Sequence, residues 1–263
     1  IPIPKEGLFR QSQVISFLKE DADLFRFASL QSPPMRVLKP NLGAIYGLYD
    51  LGGQESVTDG RYQTFGQRLL RNRLNHPVDA SGVLDFEDLN LKLAGMMNVK
   101  YILSSKPLGG ADLVKKEQGL HIYRNPHWLP RAFLVLDYEV VEDQETLLQK
   151  LFDPGFDPVK KVFIEKRIEK FMTSSKHERS DSMVKILSYH PNHIEIDVKS
   201  SHNAFLLLSE TYDPGWKADV DHQRVEILRA NYIMRGIPIQ AGEHRVTLEY
   251  RPFFFNCLFS KDG

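Results

Sequence analysis

Leu207-Leu-Ser-Glu-Thr-Tyr-Asp-Pro-Gly-Trp-Lys-Ala-Asp-Val-Asp221 is the stretch on which the reading of the fold turns. It opens on apolar residues, breaks at Asp213-Pro-Gly215, presents Trp216 and resumes as a short strand ending at Asp221. Pro presets φ and Gly permits positive φ, so Pro-Gly between two β-forming runs is a turn with a mechanism. With Arg229-Ala-Asn-Tyr-Ile-Met-Arg-Gly-Ile-Pro238 after it, the region continues as two more strands joined by turns. Upstream, His193-Ile-Glu-Ile-Asp-Val-Lys199 alternates strictly, which puts Ile194, Ile196 and Val198 on one buried face. Residues 204–209, 217–221, 225–228, 232–235 and 244–250 complete a strand series. Their spacing of roughly 8 to 12 residues is the cadence of an antiparallel sandwich.

Working outward toward the N-terminus, the texture changes. Val14, Phe17 and Leu18 at helical spacing predict a helix over 11–20. Phe25-Arg-Phe-Ala28 and Met35-Arg-Val-Leu38 read as short strands separated by the Pro33-Pro34 breaker. A second helix is expected from Asp85, whose carboxylate caps it while Asp88 completes an acidic first turn. Leu89, Leu93 and Met96 then share a face, Asn98 ends the helix, and 99–103 and 120–123 are strands. A mixed α/β layer follows. Between the halves, 132–136 and 162–165 read as strands and 143–151 as a helix, while Asp153-Pro-Gly-Phe-Asp-Pro158 is turn chemistry. Residues 170–182 are polar and serine-rich, a loop composition. The expected class is α+β: a mixed α/β domain over 1–130, a bridging segment over 131–182, and a jelly-roll-like antiparallel β-sandwich over 183–263.

Composition excludes several classes of function. The chain has 263 residues, 42% hydrophobic and 26% charged, enough to bury a sizeable core. Lys plus Arg equals Asp plus Glu at 34 each, so the surplus of cations that nucleic acid demands is missing, and no nucleic-acid partner is expected. Cys257 is the sole cysteine, so no internal disulfide forms. No apolar window of about 20 residues is present to span a bilayer. The opening Ile1-Pro-Ile-Pro4 reads as the start of an excised or processed segment. The aromatic burst Phe253-Phe-Phe-Asn-Cys-Leu-Phe259 reads either as a last buried strand or as the first turns of a membrane helix.

Few residues offer chemistry. Trp216 on its turn is either a sugar-stacking platform or a ring folded back over the sheet edge. Arg229, Asn231 and Arg235 differ by even numbers, so an unbroken strand turns all three to one side. There they would bind the phosphate or hydroxyls of a lipid-linked sugar, or pair with Glu210 or Glu226 across strands. Asp219-Val-Asp221 has a D-x-D spacing but no companion ligands, and His190-Pro-Asn-His193 lacks the soft ligands zinc needs. No metal, cofactor or catalytic residue is therefore assigned. Gly52-Gly53 and Arg61-Tyr62 read as a loop without assigned chemistry.

The order of several short elements resembles the C-terminal extracytoplasmic part of the YfhO family of bacterial membrane proteins. These are Pro40-Asn-Leu42, Tyr46-Gly47, Val99-Lys-Tyr-Ile-Leu103, Asn125 to Phe133, the Ser209 to Ala218 turn, Arg229 to Gly236, and Ala241-Gly-Glu-His-Arg-Val246. One departure is Asp221-His222 where the family has Asp-Gly, which implies a different hairpin turn. The resemblance implies a parent membrane protein of glycosyltransferase type at the extracytoplasmic face of the bacterial cell membrane. Such a parent takes a sugar from a polyprenyl-phosphate donor and passes it to a cell-envelope acceptor. Its catalytic acid lies in an early loop between membrane helices that no position of this chain matches. The chain is then expected to be non-catalytic alone, held at the membrane by flanking helices. A carbohydrate-binding module using Trp216, and a structural domain of a membrane complex, are the alternatives.

Overall fold

The computed structural model describes residues 13–30, 42–52, 60–69, 89–117, 119–168, 171 and 182–252. The expected strand at 35–38, the Asp85 cap and the aromatic burst after Pro252 lie outside them, as does most of the serine-rich segment. The protein is α+β, dominated by strands in three sheets. Two compact units form, one from Ile1–Thr58 and Gly66–Leu129, the other from Asp59–Phe65 and Pro130–Gly263.

In the first unit, β1 (Arg26–Leu30) is flanked in parallel by β2 (Tyr49–Asp50) and β3 (Val99–Ser104). Antiparallel β5 (Leu120–Arg124) and β4 (Asp112–Glu117) complete the order β2-β1-β3-β5-β4. Helix α1 (Gln13–Glu20) buries Val14, Ile15 and Leu18, and a cluster joins Val14 and Leu18 to Phe25, Phe27, Tyr101, Leu103 and Ile122. The short α2 spans Leu42–Ile45. Helix α3 (Gly60–Leu69) contains Arg61 and Tyr62, which are therefore helical and not part of a loop.

Helix α4 (Leu91–Met96) starts later than its sequence pattern suggests, because Asn90 caps it by accepting from the Leu93 amide at 3.1 Å. Leu89, Leu93 and Met96 are nonetheless all buried. Asn98 stops the helix in a left-handed conformation at φ 67° and donates to the Leu129 carbonyl. Gly95 admits the following chain: a Cβ there would sit 1.9 Å from the His127 carbonyl oxygen. Asn125 fixes that segment by donating to the Leu91 and Val99 carbonyls and accepting from the His127 amide.

The second unit holds two sheets. One is antiparallel, in the order β13-β12-β16-β10-β9, from β9 (Met183–His190), β10 (His193–Ser200), β12 (Trp216–Val220), β13 (Gln223–Val225) and β16 (Gly242–Tyr250). The other runs β6-β11-β15-β14-β8-β7. It contains β6 (Ala132–Val135), β7 (Asp137–Val140), β8 (Lys161–Ile164), β11 (Ala204–Thr211), β14 (Leu228–Ala230) and β15 (Met234–Ile239). Segment 131–182 thus contributes three strands to a sheet shared with the C-terminal part. Helix α5 (Gln144–Leu151) is capped by Asp143, which accepts from the Thr146 amide at 2.8 Å, and buries Leu147, Leu148 and Leu151. The alternation at 193–199 buries Ile194, Ile196 and Val198, as read from the sequence. These join Leu206, Leu208, Ile237 and Ile239 of the six-stranded sheet in one apolar cluster. A partly buried triad adds a polar tie: the Arg131 guanidinium lies 2.7 Å from Glu210, and the Tyr189 hydroxyl donates to the same carboxylate.

Candidate functional site

The Pro-Gly turn is built as its chemistry dictates. The Trp216 amide donates to the Asp213 carbonyl at 3.1 Å, and the Asp213 carboxylate accepts from the Gly215 amide at 2.6 Å. Gly215 is required because a Cβ would lie 2.6 Å from the ring of Tyr250. Tyr250 stands directly across from Trp216 in the antiparallel β12–β16 register, their ring centroids 5.5 Å apart.

Trp216 does not present itself as an open platform. It is 9% exposed, within the apolar cluster, and the Arg235 guanidinium lies 4.2 Å from its ring centroid. Of the two readings, the ring folded back over the sheet is the arrangement found: the indole packs inward, where its burial is worth more than a solvent contact.

Nor do Arg229, Asn231 and Arg235 share one strand. The chain turns back between β14 and β15, with Asn231 at φ 43° and Tyr232 at φ 72°. Asn231 is buried in that turn, its carboxamide oxygen accepting from the Phe163 amide and its own amide donating to the Phe163 carbonyl. It is a scaffold residue. The turn nevertheless brings Arg229 and Arg235 together as a direct cross-strand pair. Like charges opposite one another repel, and here aromatic faces offset the repulsion. Arg229 lies 4.3 Å from the Tyr212 centroid, and Arg235 combines its place over Trp216 with a 3.0 Å hydrogen bond to the Thr211 carbonyl. Glu210 binds Arg131, and Glu226 binds Lys166.

Tyr212 and Trp216 also line a groove of about 360 Å³, whose rim carries Lys217, Arg224 and Glu226. Two aromatics and a set of cations at one turn can hold an anionic or hydroxyl-bearing ligand. The sequence reading found Trp216 and the arginines but missed Tyr212 and Tyr250. Their signal was their position at the ends of strands, usable only once the register was known.

The other candidates are local structure. Asp219 pairs with Arg224 at 3.4 Å, while Asp221 binds His244 and accepts from the Arg245 amide. The His244 hydrogen bond, helped by that amide, holds the Asp221 carboxyl below its usual range. Among the described residues no group of His, Cys, Asp and Glu is arranged to hold a metal. Asp221 and His222 both take positive φ, 50° and 66°, in a two-residue loop closing Val220 onto Gln223. That is the conformation Asp-Gly would adopt, so the expectation of another turn type is corrected: His222 occupies a glycine position. His190 and His193 face each other across a hairpin, and His193 contacts Glu195 at 3.1 Å. Arg61 pairs with Glu165 at 2.5 Å and lies over Tyr232.

No curated protein matches the chain. A cryo-EM structure of the arabinofuranosyltransferase AftD from Mycobacteria is similar at 19% identity, with a TM-score of 0.23. The likeness covers 29% of this chain and 6% of that one. Among the described residues no helix is long and apolar enough to cross a membrane. Residues 161–260 match the family described as bacterial membrane protein YfhO.

Proposed function

We propose that this chain is an extracytoplasmic region of a multi-pass bacterial membrane protein of glycosyltransferase type. It positions a polyprenyl-phosphate sugar or a cell-envelope acceptor and performs no transfer by itself. The observation that carries this reading is the match of 161–260 to a membrane-protein family. The same residues contain the paired arginines and the aromatic groove of the β unit. Arg229 is the residue assigned to the anionic part of the donor, since it is only partly buried, whereas Arg235 and Asn231 support the site from within. The two sheets, joined by one core, would form a jelly-roll-like sandwich over 183–263 completed by strands of 131–182. Its end would lead into a membrane helix of the parent, with the α/β domain of 1–130 preceding it.

The test is sugar transfer by the full-length parent in membranes. Arg229→Met keeps the side chain's stem against Tyr212 and removes the charge. It is expected to lower kcat/KM about tenfold to a hundredfold, the equivalent of losing a charge-assisted contact. Unchanged transfer by a well-expressed Arg229→Met parent, or transfer by the isolated 263-residue chain, would refute the proposal.

A further inference from the structure

A second cavity in the same unit is larger and of different character. It measures about 670 Å³ and opens between β7, β8, α5 and the turn after α5. The sequence builds it simply. In the parallel β7–β8 pair Asp137 lies opposite Lys161 and Glu139 opposite Phe163. Residues two apart on a strand share a face, so all four point the same way. On α5, Thr146, Gln149 and Lys150 fall three and four residues apart and present one helix face to the same space. Phe156 and Phe163 form its base, stacked at 5.1 Å between ring centroids with 27° between planes, and both are nearly buried.

Donors and acceptors alternate around that base. Lys150 lies 3.0 Å from Glu139, and Lys161 lies 3.5 Å from Asp137 and 3.6 Å from Glu139. On the rim Lys160 lies 3.3 Å from Asp157. These side chains are pinned by pairing but open to solvent, with Glu139 36% and Lys150 42% exposed. The Lys150 hydrogen bond keeps the Glu139 carboxyl below its ordinary range, so it is an ionised acceptor at neutral pH.

Pairing decides which ligand fits. Asp137, Glu139 and Asp157 are each matched by an ammonium, Asp153 accepts from the Gly155 amide, and among the described residues no set is arranged for a metal. The lysines are matched in turn, so the cleft has no excess positive charge to attract phosphate. A hydroxyl group both donates and accepts, and several on one ring match an alternating lining better than any ion does. We infer that this cleft binds a neutral saccharide of one or two residues, through Glu139, Lys150 and Gln149.

The experiment is a titration of the 263-residue chain followed by ¹H–¹⁵N correlation spectra. The probes are cellobiose, N,N′-diacetylchitobiose and maltose in the millimolar range, with inorganic phosphate and calcium chloride alongside. At least one disaccharide is expected to shift amides of 137–139, 146–150 and 153–163 while leaving those of 212–217 in place. Glu139→Gln and Gln149→Ala are each expected to weaken that binding about tenfold without lowering Tm. If Glu139→Gln disturbs folding, the solvent-facing Gln149→Ala carries the test alone. Silence with all three sugars, shifts confined to 212–217, or a response to phosphate or calcium in their place would overturn the inference. The cleft shares no residue with the arginine pair, so this result and the Arg229→Met transfer assay stand or fall separately.

Discussion

Asp50 closes the short β2 strand opposite Phe27, a fully buried ring, and accepts a 2.9 Å hydrogen bond from the Gly52 amide. Burial penalises its charged form more than that one amide helps it, and the carboxyl is pushed up to about 6. The direction of the consequence follows. A folded-state value above the unfolded 3.8 means the native protein holds the proton more tightly. Asp50 therefore supports the fold fully in acid, and its contribution declines as pH rises through about 4 to 6 and is flat above. Asn keeps the acceptor for Gly52 and carries no charge. Asp50→Asn is expected to stabilise the chain by of order 2 kcal/mol at pH 8, with the gain vanishing near pH 4. Urea denaturation of both proteins at the two pH values measures it, and an equal effect at both would exclude the burial argument. Gly95 makes a purely steric counterpart. Ala there would drive a Cβ into the His127 carbonyl, so Gly95→Ala is expected to destabilise by about 2 kcal/mol or more, read as a drop in Tm.

At the scale of elements, what the sequence disclosed was what depends on near neighbours. Strict alternation gave β10 and its buried face, the helix read over 143–151 is α5, and Asp213-Pro-Gly215 announced the turn before Trp216. The failures share a cause. Putting Arg229, Asn231 and Arg235 on one side required an unbroken strand, and the turn at Asn231 and Tyr232, both at positive φ, has no glycine to mark it. The Asp221-His222 loop was misjudged for the same reason, since a non-glycine residue in left-handed conformation leaves no compositional trace. Pairings between distant segments were also hidden: Phe163 and Asn231 exchange hydrogen bonds across 68 residues of sequence, and only the fold brings them together. His222 turns this into a measurement. Its conformation costs an L-residue about 1 kcal/mol relative to glycine. His222→Gly, at an exposed loop tip, is expected to raise stability by about that amount. Asp221→Gly should fail to gain as much, because it forfeits the contacts to His244 and the Arg245 amide. Equal gains from both substitutions would mean that the Asp221 contacts contribute nothing.

Across the described residues of the second unit, the two sheets are joined by the apolar cluster and by a partly buried ionic tie. Arg131 is the largest fully buried side chain of the chain's described residues, at 2% exposure, yet it carries a full charge. It sits just before β6 of one sheet, its carboxylate partner Glu210 is in β11, and Tyr189 comes from β9 of the other. Burying such ions is expensive, and their mutual attraction roughly offsets the loss of water. The tie therefore matters chiefly when it is broken. Arg131→Met removes the cation that faces Glu210 and Tyr189 and is expected to cost about 3 to 5 kcal/mol. Removing the carboxylate and hydroxyl as well, in Arg131→Met/Glu210→Leu/Tyr189→Phe, replaces the triad with apolar packing of similar volume. The triple variant is expected to recover most of what the single one loses. Urea midpoints of the single and triple variants decide the matter. If the triple variant were no more stable than Arg131→Met, the triad would be holding the sheets together by attraction in its own right, and the apolar cluster alone would be insufficient to join them.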